Sequence, residues 1–151
     1  MINENVDSSG EWLEAAQTAY KNTYAFEWQG DSLLLAREAM LFTFIENYKL
    51  KFGKEPLLKS IQYVAYIISW NVWQMDGLKF VLPNSCTHTI KIENNLFGQI
   101  KTQSLFCEGC LKNDNNIHTG KYCIIKNWDS KDPLTKKKGQ IIKFIDILKN
   151  K

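Results

Sequence analysis

All four cysteines of this 151-residue chain fall between Cys86 and Cys123, and both histidines, His88 and His118, fall in the same stretch. That clustering constrains the fold more than any other feature. Residues 11–82 alternate apolar and polar types in helical and strand rhythms, so they can close a core by burial. Residues 84–132 are polar and rich in Asn and Lys, and a segment of that texture needs a staple other than apolar burial. The length fits one domain with a real core. Under reducing conditions the thiols are free or bind metal, because structural disulfides belong to oxidising compartments.

The pair in "CEGC", Cys107 and Cys110, lets two sulfurs face one metal, and Gly109 permits the tight turn beneath them. Cys86 lies upstream, while "HTGKYC" places His118 and Cys123 downstream. Four tetrahedral ligands can thus be assembled. Cys86, Cys107, Cys110 and Cys123 are the first choice, and His118 substitutes if one cysteine is out of reach. Zinc held by four protein ligands is structural, since no position stays open for a substrate. The competing reading keeps these residues as reduced, partly buried thiols. His88 falls outside the best spacing and reads as a surface residue.

In the front half, Glu11–Asn22 suits a helix with Trp12, Ala16 and Ala19 on one side. Thr23–Trp28 reads as a short strand. Asp31 is the expected N-cap of a long helix carrying Leu34, Leu41, Ile45, Tyr48 and Phe52, which Gly53 stops and Pro56 keeps stopped. A second helix is expected over 57–68 with Leu57, Ile61, Ala65 and Ile68 inward, then a strand in "WNVWQMDG" ending at an Asp-Gly turn. Strand–helix–helix–strand is the arithmetic of a crossover in a parallel sheet. Each strand ends in an acid, Glu27 and Asp76, and the carboxyl ends of parallel strands are where open α/β sheets bind ligands. Near the end, Ile141–Phe144 suits a strand and Ile145–Leu148 a turn or helix.

"YAFEWQGDSLLLAREAMLFTFIENYKLKFGKEP", "IISWNVWQMDGLK", "VLPNSC", "CEGC…HTGKYCIIKNW" and "KFIDILKNK", in that order, resemble the middle of adenine-N6 DNA methyltransferases of bacterial restriction–modification systems. The resemblance runs from about Tyr20 to the end. It implies an α/β fold: part of a Rossmann-like methyltransferase sheet with helices, and a small cysteine-rich, zinc-ribbon-like insertion. It also implies an S-adenosylmethionine half-site. Glu27 would accept the ribose hydroxyls, Trp28 pack on the adenine, Asp76 receive the adenine amino group, and Gly77 and Leu78 bring amides to the ring edge. The family's glycine-rich loop and its Asn-Pro-Pro-Tyr tetrapeptide do not occur in the sequence, so no catalytic residue is assigned. In relatives the "FIDILK" stretch leads toward the catalytic strand. The expected entity is therefore an internal segment, inactive alone, whose partners are DNA in the complete enzyme and a complementing methyltransferase chain.

The expected organisation is a leader and helix over 1–22, the cofactor unit over 23–82, the cysteine-bearing insertion over 83–132, and a return to core over 133–151. No run approaches the ~20 apolar residues of a membrane span, and the start is polar rather than signal-like, so the cytoplasm is the expected address. A net charge of +3 is too small to establish a nucleic-acid partner by itself. The alternative function is a non-enzymatic, zinc-stabilised module binding protein or nucleic acid, with Lys112, Lys121, Lys126, Lys131 and the Lys136–Lys138 run on phosphates.

Overall fold

The computed structural model describes residues 7–86, 89–94, 100–134, 136 and 138–149; His88 lies outside them. The chain forms two compact units. One comprises residues 1–74 and 125–142, the other 75–124 and 143–151.

The first unit opens with α1 (Ser9–Lys21), capped by Ser8, whose Oγ accepts the Glu11 amide at 3.2 Å. Then come β1 (Ala25–Glu27), α2 (Gly30–Phe52), α3 (Leu58–Asn71) and β2 (Val72–Gln74). Gly53 ends α2 at φ 67°, with its amide donating to the Lys49 carbonyl at 2.8 Å. The two strands pair in parallel with Ala25 opposite Val72, Phe26 opposite Trp73 and Glu27 opposite Gln74, so the crossover expected from the sequence is present.

The core is built on an interval of four. Phe44, Tyr48 and Phe52 recur one turn apart on α2 and meet Trp12 of α1, with ring centroids 5.8, 5.4 and 6.2 Å from it. Ala16, Val64, Ile68 and Val72 complete the buried cluster. The inward faces differ from those expected. Leu34 and Leu57 are 59% and 76% exposed, while Phe44, Val64 and Ile67 are buried. Apolar residues surround α2 on every side, so its sequence fits several faces equally well; the partner helix decides.

Helix α3 also outlasts its expected end at Ile68, because Asn71 fixes its last turn. The Asn71 side chain is fully buried. Its Nδ2 lies 2.8–3.1 Å from the carbonyls of Tyr20, Lys21 and Thr23, and its Oδ1 accepts the Trp128 indole N–H at 2.9 Å. Trp128 belongs to β5 (Ile124–Lys131), which pairs with β6 (Lys138–Lys143). The Tyr24 hydroxyl donates to the Lys126 carbonyl at 2.7 Å. These bonds join most of β5 to the first unit, although the sequence placed it in the cysteine-bearing segment.

The second unit contains β3 (Thr89–Asn94) and β4 (Ile100–Leu105), an antiparallel pair with Thr89 opposite Leu105. It also holds α4 (Glu108–Lys112) and α5 (Phe144–Lys149). The molecule is thus a mixed α/β chain with three two-stranded sheets among the described residues. A wider doubly wound sheet is not among them.

Candidate metal centre

The β3–β4 pairing begins the site. Cys86 stands three residues before Thr89 and Cys107 two after Leu105, so the register of the ladder brings both to its base. Upstream, Pro83 and Asn84 turn the chain, with Asn84 at φ 58° and the Ser85 amide donating to the Leu82 carbonyl. Downstream, Cys107 is the N-cap residue of α4, which carries Cys110. Asn113 then takes the left-handed conformation at φ 53° and ends α4. Asp114 folds the following loop by accepting the Asn116 amide at 2.9 Å.

That loop delivers His118. Its Nδ1 lies 3.7 Å from the Cys86 sulfur, 3.5 Å from Cys107 and 3.6 Å from Cys110. All four ligand atoms lie within 4.8 Å of one another. Zinc bonds of about 2.3 Å to sulfur and about 2.0 Å to nitrogen in a tetrahedron set sulfur and nitrogen about 3.5 Å apart, so the cluster has the dimensions of a zinc site. Three thiols and an imidazole are also the donor set that zinc takes in closed, structural sites.

Neighbouring groups hold these ligands in place. The far nitrogen of His118, Nε2, faces Asn115 Oδ1 at 3.4 Å, which assigns the ring proton there and leaves Nδ1 free for metal. Tyr122 locks the loop: its hydroxyl accepts the His118 amide and donates to the Asn115 carbonyl, both at 2.9 Å. The Thr119 amide donates to the Cys107 sulfur at 3.3 Å. Two glycines let the strands of chain close together. A β-carbon on Gly109 would sit 2.8 Å from the Asp114 carbonyl oxygen, the His118 amide nitrogen and His118 Nδ1; one on Gly120 would sit 3.0 Å from the Cys86 sulfur.

Burial acts to raise the Cys107 thiol, but the hydroxyl and amide of Thr119, the Cys110 amide and His118 outweigh it and bring the thiol down to about 5. Burial, with hydrogen bonds shared with Cys107 and Cys110, pushes Cys86 up to about 11 against the pull of the Gly120 amide. The surroundings thus favour the thiolate at Cys107 and the protonated thiol at Cys86. A divalent cation bound there would displace the remaining proton.

His118, rather than Cys123, joins Cys86, Cys107 and Cys110 in the group that could hold a metal ion. Tyr122 pairs with Val81 in an antiparallel bridge and turns its ring toward the loop. Adjacent side chains of an extended segment point to opposite faces, so Cys123 points away. Its thiol is buried, which pushes it up to about 12. The sequence reading did not single out Asn115, Thr119, Gly120 and Tyr122, although the last three stand in "HTGKY" beside His118.

The other expected site residues occupy turns. Glu27 Oε1 accepts the amides of Trp28 and Gln29 at 2.9 and 3.3 Å, just ahead of α2. Gln29 rather than Asp31 is the N-cap position, and Asp31 lies within the first turn. Trp28 is half exposed. In the second unit Asp76 is buried; its Oδ1 accepts the Leu78 and Lys79 amides at 3.0 and 3.3 Å, and Lys79 Nζ lies 3.7 Å from its Oδ2. Gly77 and Leu78 are exposed at the tip of that turn. No helix among the described residues is long and apolar enough to cross a membrane. No protein family, curated protein or solved structure matches the chain.

Proposed function

We propose that this chain is a segment of an S-adenosylmethionine-dependent adenine-N6 DNA methyltransferase, part of whose Rossmann-like sheet is the β1–β2 pair, and that its cysteine-bearing unit is a structural zinc knuckle. The supporting observation is the parallel register of β1 and β2. It sets Glu27 level with Gln74 at the carboxyl ends of both strands, where a parallel sheet receives ligands. Glu27 spends Oε1 on two local amides, while Oε2 has no partner among the described residues and remains to accept a ribose hydroxyl. Trp28 beside it offers an exposed ring for an adenine. The zinc has a positional role: four protein ligands close its sphere, leaving no site for substrate activation. The methionine-binding loop and the base-holding tetrapeptide come from another segment or chain.

Amide NMR of the zinc-loaded protein titrated with S-adenosylhomocysteine tests this reading. Shifts centred on Glu27–Gln29, weakened by Glu27→Gln, are expected. Absence of shifts there up to the solubility of the ligand, with zinc retained, would overturn it in favour of the non-enzymatic zinc module. The chain alone should transfer no labelled methyl group to DNA above a no-protein control.

A further inference from the structure

The first unit carries a surface of aromatic rings and ammonium groups that neither the zinc knuckle nor the methyl-donor reading uses. Tyr63, Tyr66 and Trp70 follow at intervals of three and four along α3 and so share one face. Their centroids are 6.5 Å apart at each step, and the Tyr63 and Tyr66 planes are inclined by only 25°. Trp128 of β5 adds a fourth ring, 6.0 Å from Tyr66. Tyr63 and Tyr66 remain 37% and 43% exposed.

Two cations lie over these rings. Lys126 Nζ is 4.8 Å from the Tyr66 and Trp128 centroids and donates to the Tyr66 hydroxyl at 2.7 Å. Lys21 Nζ is 5.3 Å from Tyr63 and 5.9 Å from Trp128. Neither lysine forms an ion pair with a carboxylate among the described residues. The neighbouring acid, Asp129, follows Trp128 on an extended strand and therefore faces the other way, toward Tyr24.

We propose that this face is a binding surface for single-stranded nucleic acid, with bases stacking on Tyr63 and Tyr66 and phosphates meeting Lys21 and Lys126. Exposed rings accept any base, because every base has a π face, and two ammonium groups without a carboxylate partner among the described residues supply the complementary charge. A duplex cannot use the surface, since its bases already stack on one another. The proposal stands independently of the methyl-donor reading, because its residues are different and its test contains no cofactor.

Fluorescence anisotropy of the zinc-loaded full chain with a labelled oligothymidylate measures the effect, with an unlabelled duplex as competitor. Single-strand affinity should fall with salt at a logarithmic slope of about −1.4, two phosphates at about −0.7 each. Tyr63→Ala with Tyr66→Ala should weaken binding by at least about fivefold, whereas Tyr63→Phe with Tyr66→Phe keeps the rings and stays within about twofold. Lys21→Gln should reduce the slope by about 0.7. Circular dichroism and zinc content check that each variant folds. If the alanine pair does not fold, the Lys21→Gln slope decides. No binding of the oligothymidylate, equal competition by duplex, or a salt slope unmoved by Lys21→Gln would overturn the proposal.

Discussion

The two units are held by different physics. In the first, Trp12, Phe44, Tyr48, Val64, Ile68 and Val72 bury one another, and the helices that carry them bring their own hydrogen bonds. In the second, the buried side chains among the described residues include Cys107 and His118, both candidate metal ligands, beside Met75, Val81, Cys123 and Ile145. One unit is organised by many weak contacts that overlap in function. The other converges on four atoms. Loss of a single group should therefore weaken the first and dismantle the second.

Removing the metal is the largest perturbation available. Elemental analysis of protein purified without chelator should find about one zinc per chain. Structural zinc supplies roughly 10 kcal/mol or more to small domains, so a chelator should free the amides of residues 107–122 to exchange with solvent. Amides at Phe44 and Val64 should stay protected. Uniform loss of protection across both units would erase the distinction between them.

The ligand assignment gives the next effect. His118→Ala should lower zinc affinity by more than about a hundredfold, since even outer partners of metal ligands account for roughly 10–100-fold. Cys123→Ala should leave zinc stoichiometry unchanged. A competition titration against a chromophoric chelator distinguishes them, and the reverse order would restore Cys123 as the fourth ligand.

Asn71 is the counterpart in the first unit. Asn71→Leu preserves size but leaves the carbonyls of Lys21 and Thr23 and the Trp128 indole without this partner. Each stranded buried group costs about 1–3 kcal/mol, so the unfolding free energy should drop by about 2–4 kcal/mol with zinc content intact. Denaturant titration of the zinc-loaded protein measures it.

The smallest effect concerns pH. Burial raises the Cys123 thiol from 9.0 to about 12. The unfolded thiol therefore ionises first: its contribution to stability is complete below pH 9 and is lost as pH rises toward 12. At intermediate alkaline pH the loss should amount to roughly 1 kcal/mol. Cys123→Ala should flatten that part of the pH–stability curve, as read from denaturation midpoints.

The crossover from β1 to β2 was legible because strand-like aromatics bracket two helices with unmistakable stops at Gly53 and Pro56. The helix faces were harder. Leu34 and Phe44 are equally apolar, and nothing local says which meets Trp12. Asn71 was invisible as a hub, because its partners lie 48–57 positions away in the chain. Glu27 was legible as a residue at a joint, and its Oε1 does end on local amides.

The sequence by itself determined which chemistry the second unit can perform. "VLPNSC", "CEGC" and "HTGKYC" place five possible ligands within reach, and no other part of the chain holds thiols. Tertiary structure alone decided which four converge. That choice depends on the β3–β4 register, on the left-handed turn at Asn113 and on the direction in which Tyr122 faces across its bridge to Val81. Spacing limits how far a ligand can reach, whereas strand pairing fixes which way it points, and Cys123 sits one residue on the wrong side of that alternation.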